Sequence, residues 1–377
     1  MNKWPIVHLE DVCDAKSSNI AQKDLIANEG QYPIYGASGL IKYVDFYAHE
    51  IEYIGIVKDG AGVGRATIHP AKSSVIGTMQ ALLPKSTTNP SYLFYVISNM
   101  DLARYHTGAT IPHIYFKDYK KELLPLPPIE VQQKVVNVLD LLNYLIKKRK
   151  EQIAKLDLLV KSQFIEMFGG NQDDSKWDKV QLVEICKSPS DIKCGPFGTQ
   201  LYNADYRKEG IPVYGIPQVN SAFKKMPSEF VESDKAVQLD AFSLVYGDVV
   251  LSRKGNVGTC AIFPKTAEQG IMHSDVLRIR PDNGKINPLF LVEQLHNSQY
   301  VQWQIEQVSH GAIMAGTNVT KLKGIMIDTP PLELQNQFSD FVQAVDKSKF
   351  EMQKGLEKLE LLYKSLMQKC FSGELFK

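Results

Sequence analysis

The chain has 377 residues, of which 44% are hydrophobic and 23% charged, with a formal net charge of +1. That length fills two domains with ordinary cores, and the composition excludes a disordered or fibrous chain. Apolar runs are short and interrupted, Met1-Asn2-Lys3-Trp4-Pro5 lacks a signal-peptide core, and the five cysteines (Cys13, Cys186, Cys194, Cys260, Cys370) form no CxxC pair, so a cytoplasmic chain without membrane span, zinc framework or disulfides is expected.

Residues 1–126 read as a mixed region of short β-branched strands, glycines and tyrosines. The segment Ile51 to Val57 predicts a strand running into the glycine loop Lys58-Asp59-Gly60-Ala61-Gly62-Val63-Gly64-Arg65. Asn89-Pro90 predicts an N-cap followed by proline at the first position of a short helix. A polar element, Thr107-Gly108-Ala109-Thr110-Ile111-Pro112-His113, precedes Pro127-Pro128. Residues 127–170 then predict one long helix, with Pro128 at the first position, Glu130 complementing the helix dipole and Gly169-Gly170 as the stop.

The second half repeats this order. Residues 171–329 are again mixed, with a strand expected over Val245 to Leu251, a loop Arg253-Lys254-Gly255-Asn256-Val257-Gly258-Thr259 and a capped helix at Asn287-Pro288. The polar element returns as His310-Gly311-Ala312-Ile313-Met314-Ala315-Gly316-Thr317-Asn318, and residues 330–377 predict a second long helix stopped at Gly373. Pro127-Pro128-Ile129-Glu130-Val131-Gln132-Gln133 recurs 203 residues on (127 to 330) as Pro330-Pro331-Leu332-Glu333-Leu334-Gln335-Asn336. Trp4, Val7, Leu9, Val12 and Cys13 likewise return as Trp177, Val180, Leu182, Ile185 and Cys186.

Both helices carry apolar residues at 3-4 spacing. The first seam runs Val135, Leu139, Leu142, Ile146, Ile153, Leu156, Val160 and Met167, broken by Arg149 and Gln163. The second runs Phe338, Val342, Val345, Met352, Leu356, Leu359, Tyr363, Leu366 and Cys370, broken by Lys349. Forty helical residues span roughly 60 Å, longer than a compact domain can bury. The pattern predicts an antiparallel coiled coil within the chain; the alternative is two coiled coils, each pairing with another subunit.

No phosphate loop, dinucleotide fingerprint, HExxH motif or nucleophile elbow frames a catalytic centre. Asn89-Pro90-Ser91-Tyr92 is close to the loop that holds the target amino group in adenine methyltransferases. No S-adenosylmethionine loop precedes it, and its repeat Asn287-Pro288-Leu289-Phe290 has lost the likeness, so a helix cap is expected. Binding is better supplied. The two glycine loops combine close backbone approach with Lys58, Arg65, Arg253 and Lys254, which neutralise phosphate, and Asn256, which can read adenine. The alternative is a turn with solvated charges. Thr107, Thr110, His113 and Lys117, and likewise His310, Thr317, Asn318 and Lys321, offer donors to phosphates and base edges. The Lys147-Lys148-Arg149-Lys150 run reads as a solvated helix face.

Taken with Gly195-Pro196-Phe197-Gly198-Thr199, Gly210-Ile211-Pro212-Val213-Tyr214-Gly215, Ser252 to Gly258 and His273 to Pro281, these repeats are similar to the specificity subunits of type I restriction-modification systems, over essentially the full length. The resemblance implies an α+β fold: two pseudo-symmetric mixed α/β target recognition domains, 1–126 and 171–329, joined by two long antiparallel spacer helices, 127–170 and 330–377. It implies a non-catalytic chain that reads an asymmetric bipartite site in double-stranded DNA, with Thr199 among the DNA-binding residues. Two modification subunits methylating adenine N6, and restriction subunits, are the implied partners; S-adenosylmethionine, ATP and Mg are expected on those partners and no cofactor on this chain. The first half departs from the pattern, with Gly36-Ala37-Ser38-Gly39 at a different place from Gly195 to Gly198. The rival readings are a stand-alone adenine methyltransferase and a coiled-coil scaffold without DNA specificity.

Overall fold

A computed structural model describes residues 4–108, 110–169, 176–254, 258–309, 319–372 and 374–375. The chain divides into two compact units, Met1–Glu151 with Gln353–Lys377, and Gln152–Met352. Both long helices, Ile129–Phe168 and Leu332–Ser372, therefore contribute a portion to each unit.

In the first unit an antiparallel sheet runs in the order Cys13–Ser17, Met79–Pro84, Tyr53–Val57, Ala66–His69. Tyr53-Ile54-Gly55-Ile56-Val57 is buried at every position, as a continuous apolar run at a sheet centre requires. A smaller sheet orders Gly39–Val44, Tyr32–Gly36 and Ser74–Val75, the last pair parallel. Ile6–His8 pairs with Leu123–Pro125. Leu9, Ile54, Ile56 and Leu82 pack with the helix Pro90–Ser98 and with Val135, Leu139, Met367 and Cys370 of the long helices.

The second unit repeats this plan. Its antiparallel sheet runs Ile192–Cys194, Val276–Ile279, Val249–Ser252, Cys260–Ile262. A second sheet orders Phe230–Val231, Ile211–Tyr214, Gly270–Met272 and Ser243–Leu244, with its central pair parallel. Lys179–Gln181 pairs with Met326–Asp328. The core closes on Phe164, Phe168, Phe290 and Phe338. Equivalent strands thus occupy equivalent places in the two units, as the duplicated sequence predicts.

The long helices pair antiparallel in both units. In the first, Val135 and Leu139 share a core with Met367 and Cys370, and Lys150 bridges to Glu360 at 2.8 Å. Arg149, a break in the seam, is accommodated by Gly355: a Cβ there would lie 2.8 Å from the guanidinium. In the second, Val160 and Phe164 meet Phe338 and Val342, and Lys349 pairs with Asp157. Lys349 thus meets an acid across the pair, which favours one register.

Three expectations need correction. The helices begin at Ile129 and Leu332, and the Pro128 and Pro331 carbonyls accept the first helical bonds, so each proline lies one place outside the first helical position. The expected strand Val245 to Leu251 is interrupted: Asp248 caps a turn by accepting from the Val245 amide at 2.8 Å, Gly247 takes φ 91°, and the strand starts at Val249. The first seam is buried at Val135, Leu139, Leu142 and Val160 as expected, but Val136, Phe164 and Phe168, which lie outside it, are buried as well. Of the stop signals, Gly169 has φ 82° directly after the helix, while Gly170 and Gly373 lie outside the described residues.

The recurrent Pro-Pro-x-Glu-x-Gln segment has a structural role. Gln132 is fully buried; its Oε1 accepts from the Asn89 amide at 2.8 Å and its Nε2 donates to the Pro127 carbonyl at 2.8 Å. Gln335 does the same with the Asn287 amide (2.8 Å) and the Pro330 carbonyl (2.7 Å). Each glutamine fastens a short capped helix to the start of a long one. Replacing either by leucine strands a buried donor and acceptor, at about 1–3 kcal/mol. Urea midpoints should report that loss; wild-type midpoints would contradict the role.

Candidate nucleic-acid interface

The two glycine loops leave from equivalent places in their sheets. Residues 58–65 join Tyr53–Val57 to Ala66–His69, and residues 253–259 join Val249–Ser252 to Cys260–Ile262, the same two strands in each sheet order. Each loop is fixed at its start by the same backbone bond: the Lys58 amide donates to Thr78 O at 3.0 Å, and the Arg253 amide to Asp275 O at 2.9 Å.

In the first unit the structure joins elements that are far apart in sequence. The Gly60 amide donates to Pro112 O at 3.0 Å, the Ile114 amide to Lys58 O at 2.9 Å, and Thr107 and His113 exchange two backbone bonds of 2.8 Å. His113 Nδ1 lies 2.7 Å from Asp59 Oδ1. Arg65 reaches from the far end of the loop to the Ala37 carbonyl in the Gly36–Gly39 turn. Gly64 must be glycine: its φ is 86°, and a Cβ would lie 2.7 Å from the Ala103 amide nitrogen. Lys58, Asp59, Thr107 and His113 are therefore neighbours, while Arg65 reaches toward the Gly36–Gly39 turn. Thr110 is exposed in the same Thr107 to His113 segment, and Lys117 stacks 5.4 Å over the exposed Tyr115 ring.

In the second unit Lys254 Nζ lies 2.6 Å from Asp275 Oδ1, and His273 Nδ1 is 3.1 Å from the Asp275 amide. Tyr206 stacks on His273 at 6.1 Å, and burial, with Glu229 and Asp275 nearby, lifts its phenol to about 12. A Cβ at Gly195 would fall 2.0 Å from His273 O, so this glycine lets the Gly195–Gly198 segment pack on His273 to Asp275. Thr199 follows on an exposed single turn, Gly198–Gln200, and Lys321 lies on the short helix Val319–Lys323. Asn256, His310, Thr317 and Asn318 lie outside the described residues. Asp59, His273 and Asp275 were not among the expected contacts, although all three stand inside segments that the sequence singles out.

Asn89 is the cap that its sequence predicts. Its side chain accepts from the Tyr92 amide at 3.1 Å and donates to Gln133 at 2.9 Å, while the fully buried Tyr92 hydroxyl donates to Pro125 O at 2.7 Å. Cys260 Sγ lies 3.3 Å from His296 Nε2, but burial pushes the thiol up and the imidazole down, the reverse of a thiolate–imidazolium pair. Among the described residues no cluster of His, Cys, Asp or Glu could hold a metal ion, and no helix is long and apolar enough to cross a membrane.

Two similar α/β units, each with a cation-bearing hairpin loop, and two long paired helices define a duplicated binding protein. The family model for the type I restriction modification DNA specificity domain matches residues 1–155 and 174–361, and the chain belongs to that family. It is 24% identical to the type I restriction enzyme MjaVIII specificity subunit of Methanocaldococcus jannaschii, over 99% of this chain and 93% of that one. In fold it is similar to the crystal structure of a type I restriction-modification S subunit from M. genitalium, at TM-score 0.61, 16% identity and coverage of 98% and 96%. A chain solved in a study of assembly and conformational transition of the type I R-M system matches at TM-score 0.62 and 17% identity, covering 99% of this chain and 98% of that chain.

Proposed function

We propose that this chain is the DNA-recognition subunit of a type I restriction-modification complex, each unit reading one half of an asymmetric bipartite site. The observation that carries this is the pair of equivalent loops, held by the same backbone bond in both units yet presenting different side chains. A duplicated frame with unlike tips suits two unlike half-sites. Lys58, Arg65, Thr107, Thr110, His113 and Lys117 belong to one reader; Thr199, Arg253, Lys254, Asn256, His310, Thr317, Asn318 and Lys321 belong to the other. Arg253, partly exposed at the start of the second loop, supplies a fixed positive charge suited to a phosphate.

Chemistry lies on the partners. Two modification subunits methylate adenine N6 with S-adenosylmethionine, flipping the base out of the duplex, and restriction subunits use ATP and Mg. Exposed Leu141, Tyr144, Leu145 and Leu361 on the long helices suit docking of such subunits. The stand-alone methyltransferase loses its residue, since Asn89 is spent on a helix cap.

Binding to duplex DNA by the complex with its modification subunits should fall steeply with salt. Arg253→Ala should weaken binding to specific and unrelated duplexes alike and lower the salt slope by about one. Salt-insensitive binding, or none, would favour the scaffold reading.

A further inference from the structure

The equivalence of the loops holds residue by residue. Val57 pairs with Met79 in the first sheet and Ser252 with Val276 in the second, and the next residue of each loop makes the shared backbone bond. Lys58 therefore corresponds to Arg253, Asp59 to Lys254, and Thr78 to Asp275. The first loop position keeps its positive charge in both units. The second reverses it, with an acid at 59 and a base at 254. Each has a counter-charge from a different source: Asp59 takes His113 from a separate segment at 2.7 Å, and Lys254 takes Asp275, just before the adjoining strand Val276–Ile279, at 2.6 Å.

Both side chains reach solvent; Asp59 is 26% exposed and Lys254 51%. His113 occupies Asp59 Oδ1, which leaves Oδ2 to accept another donor. A carboxylate accepts from the amino groups of cytosine or adenine, whereas an ammonium donates to guanine O6 and N7 or thymine O4. We infer that Asp59 and Lys254 are specificity-determining residues of opposite polarity, Asp59 selecting an amino-bearing base in one half-site and Lys254 a carbonyl-bearing base in the other. His113 and Asp275 are the positioning residues that hold them. This rests on the DNA-reading function proposed above and adds which position of each loop discriminates.

The test maps methylated sites made by the full complex, with its own modification subunits, for wild type, Asp59→Asn, Asp59→Glu and Lys254→Gln. Asp59→Asn should admit other bases at one position of one half-site, by roughly tenfold relative to wild type, since an amide both donates and accepts. Asp59→Glu should keep the original base. Lys254→Gln should relax one position of the other half-site only. Unchanged base preference, whether methylation is normal or uniformly reduced, would overturn the inference while leaving the DNA-reading function intact. A wild-type complex that methylates without sequence preference would overturn that function itself.

Discussion

Replacing Phe338 by alanine should destabilise the second unit by about 3–5 kcal/mol, the range for removing a large aromatic from a closed core. Phe338 is fully buried on the second long helix, with ring centroids 5.6 Å from Phe164, 5.4 Å from Phe168 and 6.5 Å from Phe290. The contacts are edge-on, so the loss includes pair geometry as well as apolar area. Phe164 and Phe168 come from the first long helix and Phe290 from the capped helix Pro288–Asn297, so this one ring joins both spacer helices to the mixed domain. Guanidinium unfolding should show the drop; a loss below about 1 kcal/mol would mean that the site collapses without a cavity and that Phe338 does not hold these elements together.

The second large effect is a pair of opposed pH dependences. His69 in the first unit is buried between Tyr35 and Tyr53, with ring centroids 4.4 and 5.3 Å away, and burial holds its imidazole down at about 4. The unfolded chain, with the ordinary 6.5, takes up this proton first. His69 therefore contributes stability above pH 6.5 that is lost as pH falls to about 4, about 3 kcal/mol in all. Glu293 in the second unit behaves oppositely. Burial lifts it from 4.5 to about 7, so its contribution is present below pH 4.5 and is lost as pH rises through 7. Partial solvent contact keeps that loss to about 2 kcal/mol. Unfolding midpoints from pH 4 to 8 should therefore fall less steeply on the acid side in His69→Gln and hold up better above pH 7 in Glu293→Gln. A His69→Gln profile parallel to wild type would show that the imidazole titrates normally in the folded chain.

Much of this was legible in the sequence because the duplication exposes it. Periodicity alone located both long helices and their 3-4 seams, since a buried face forty residues long leaves an unmistakable repeat. The antiparallel pairing was inferred from length; its fit between Arg149 and Gly355 could not be, because a lone glycine in a helix does not say which residue faces it. The equivalence of the two glycine loops was visible from position. What the sequence hid were contacts across long separations: Asp59 with His113, Arg65 with Ala37, and Gly195 on His273. Such pairs depend on strand order, which no local pattern encodes. The glutamines of the repeated Pro-Pro segment were seen as a motif but not understood, because their partners, the Asn89 and Asn287 amides, are more than forty residues away.

The central claim is that two differently tipped units each read one half of a DNA site. Its most direct test exchanges residues 1–126 for the corresponding domain of a relative with another target, then maps methylated adenines made by the complex with its modification subunits. One half of the methylated motif should change and the other stay intact. A motif altered in both halves, or in neither, would contradict the claim.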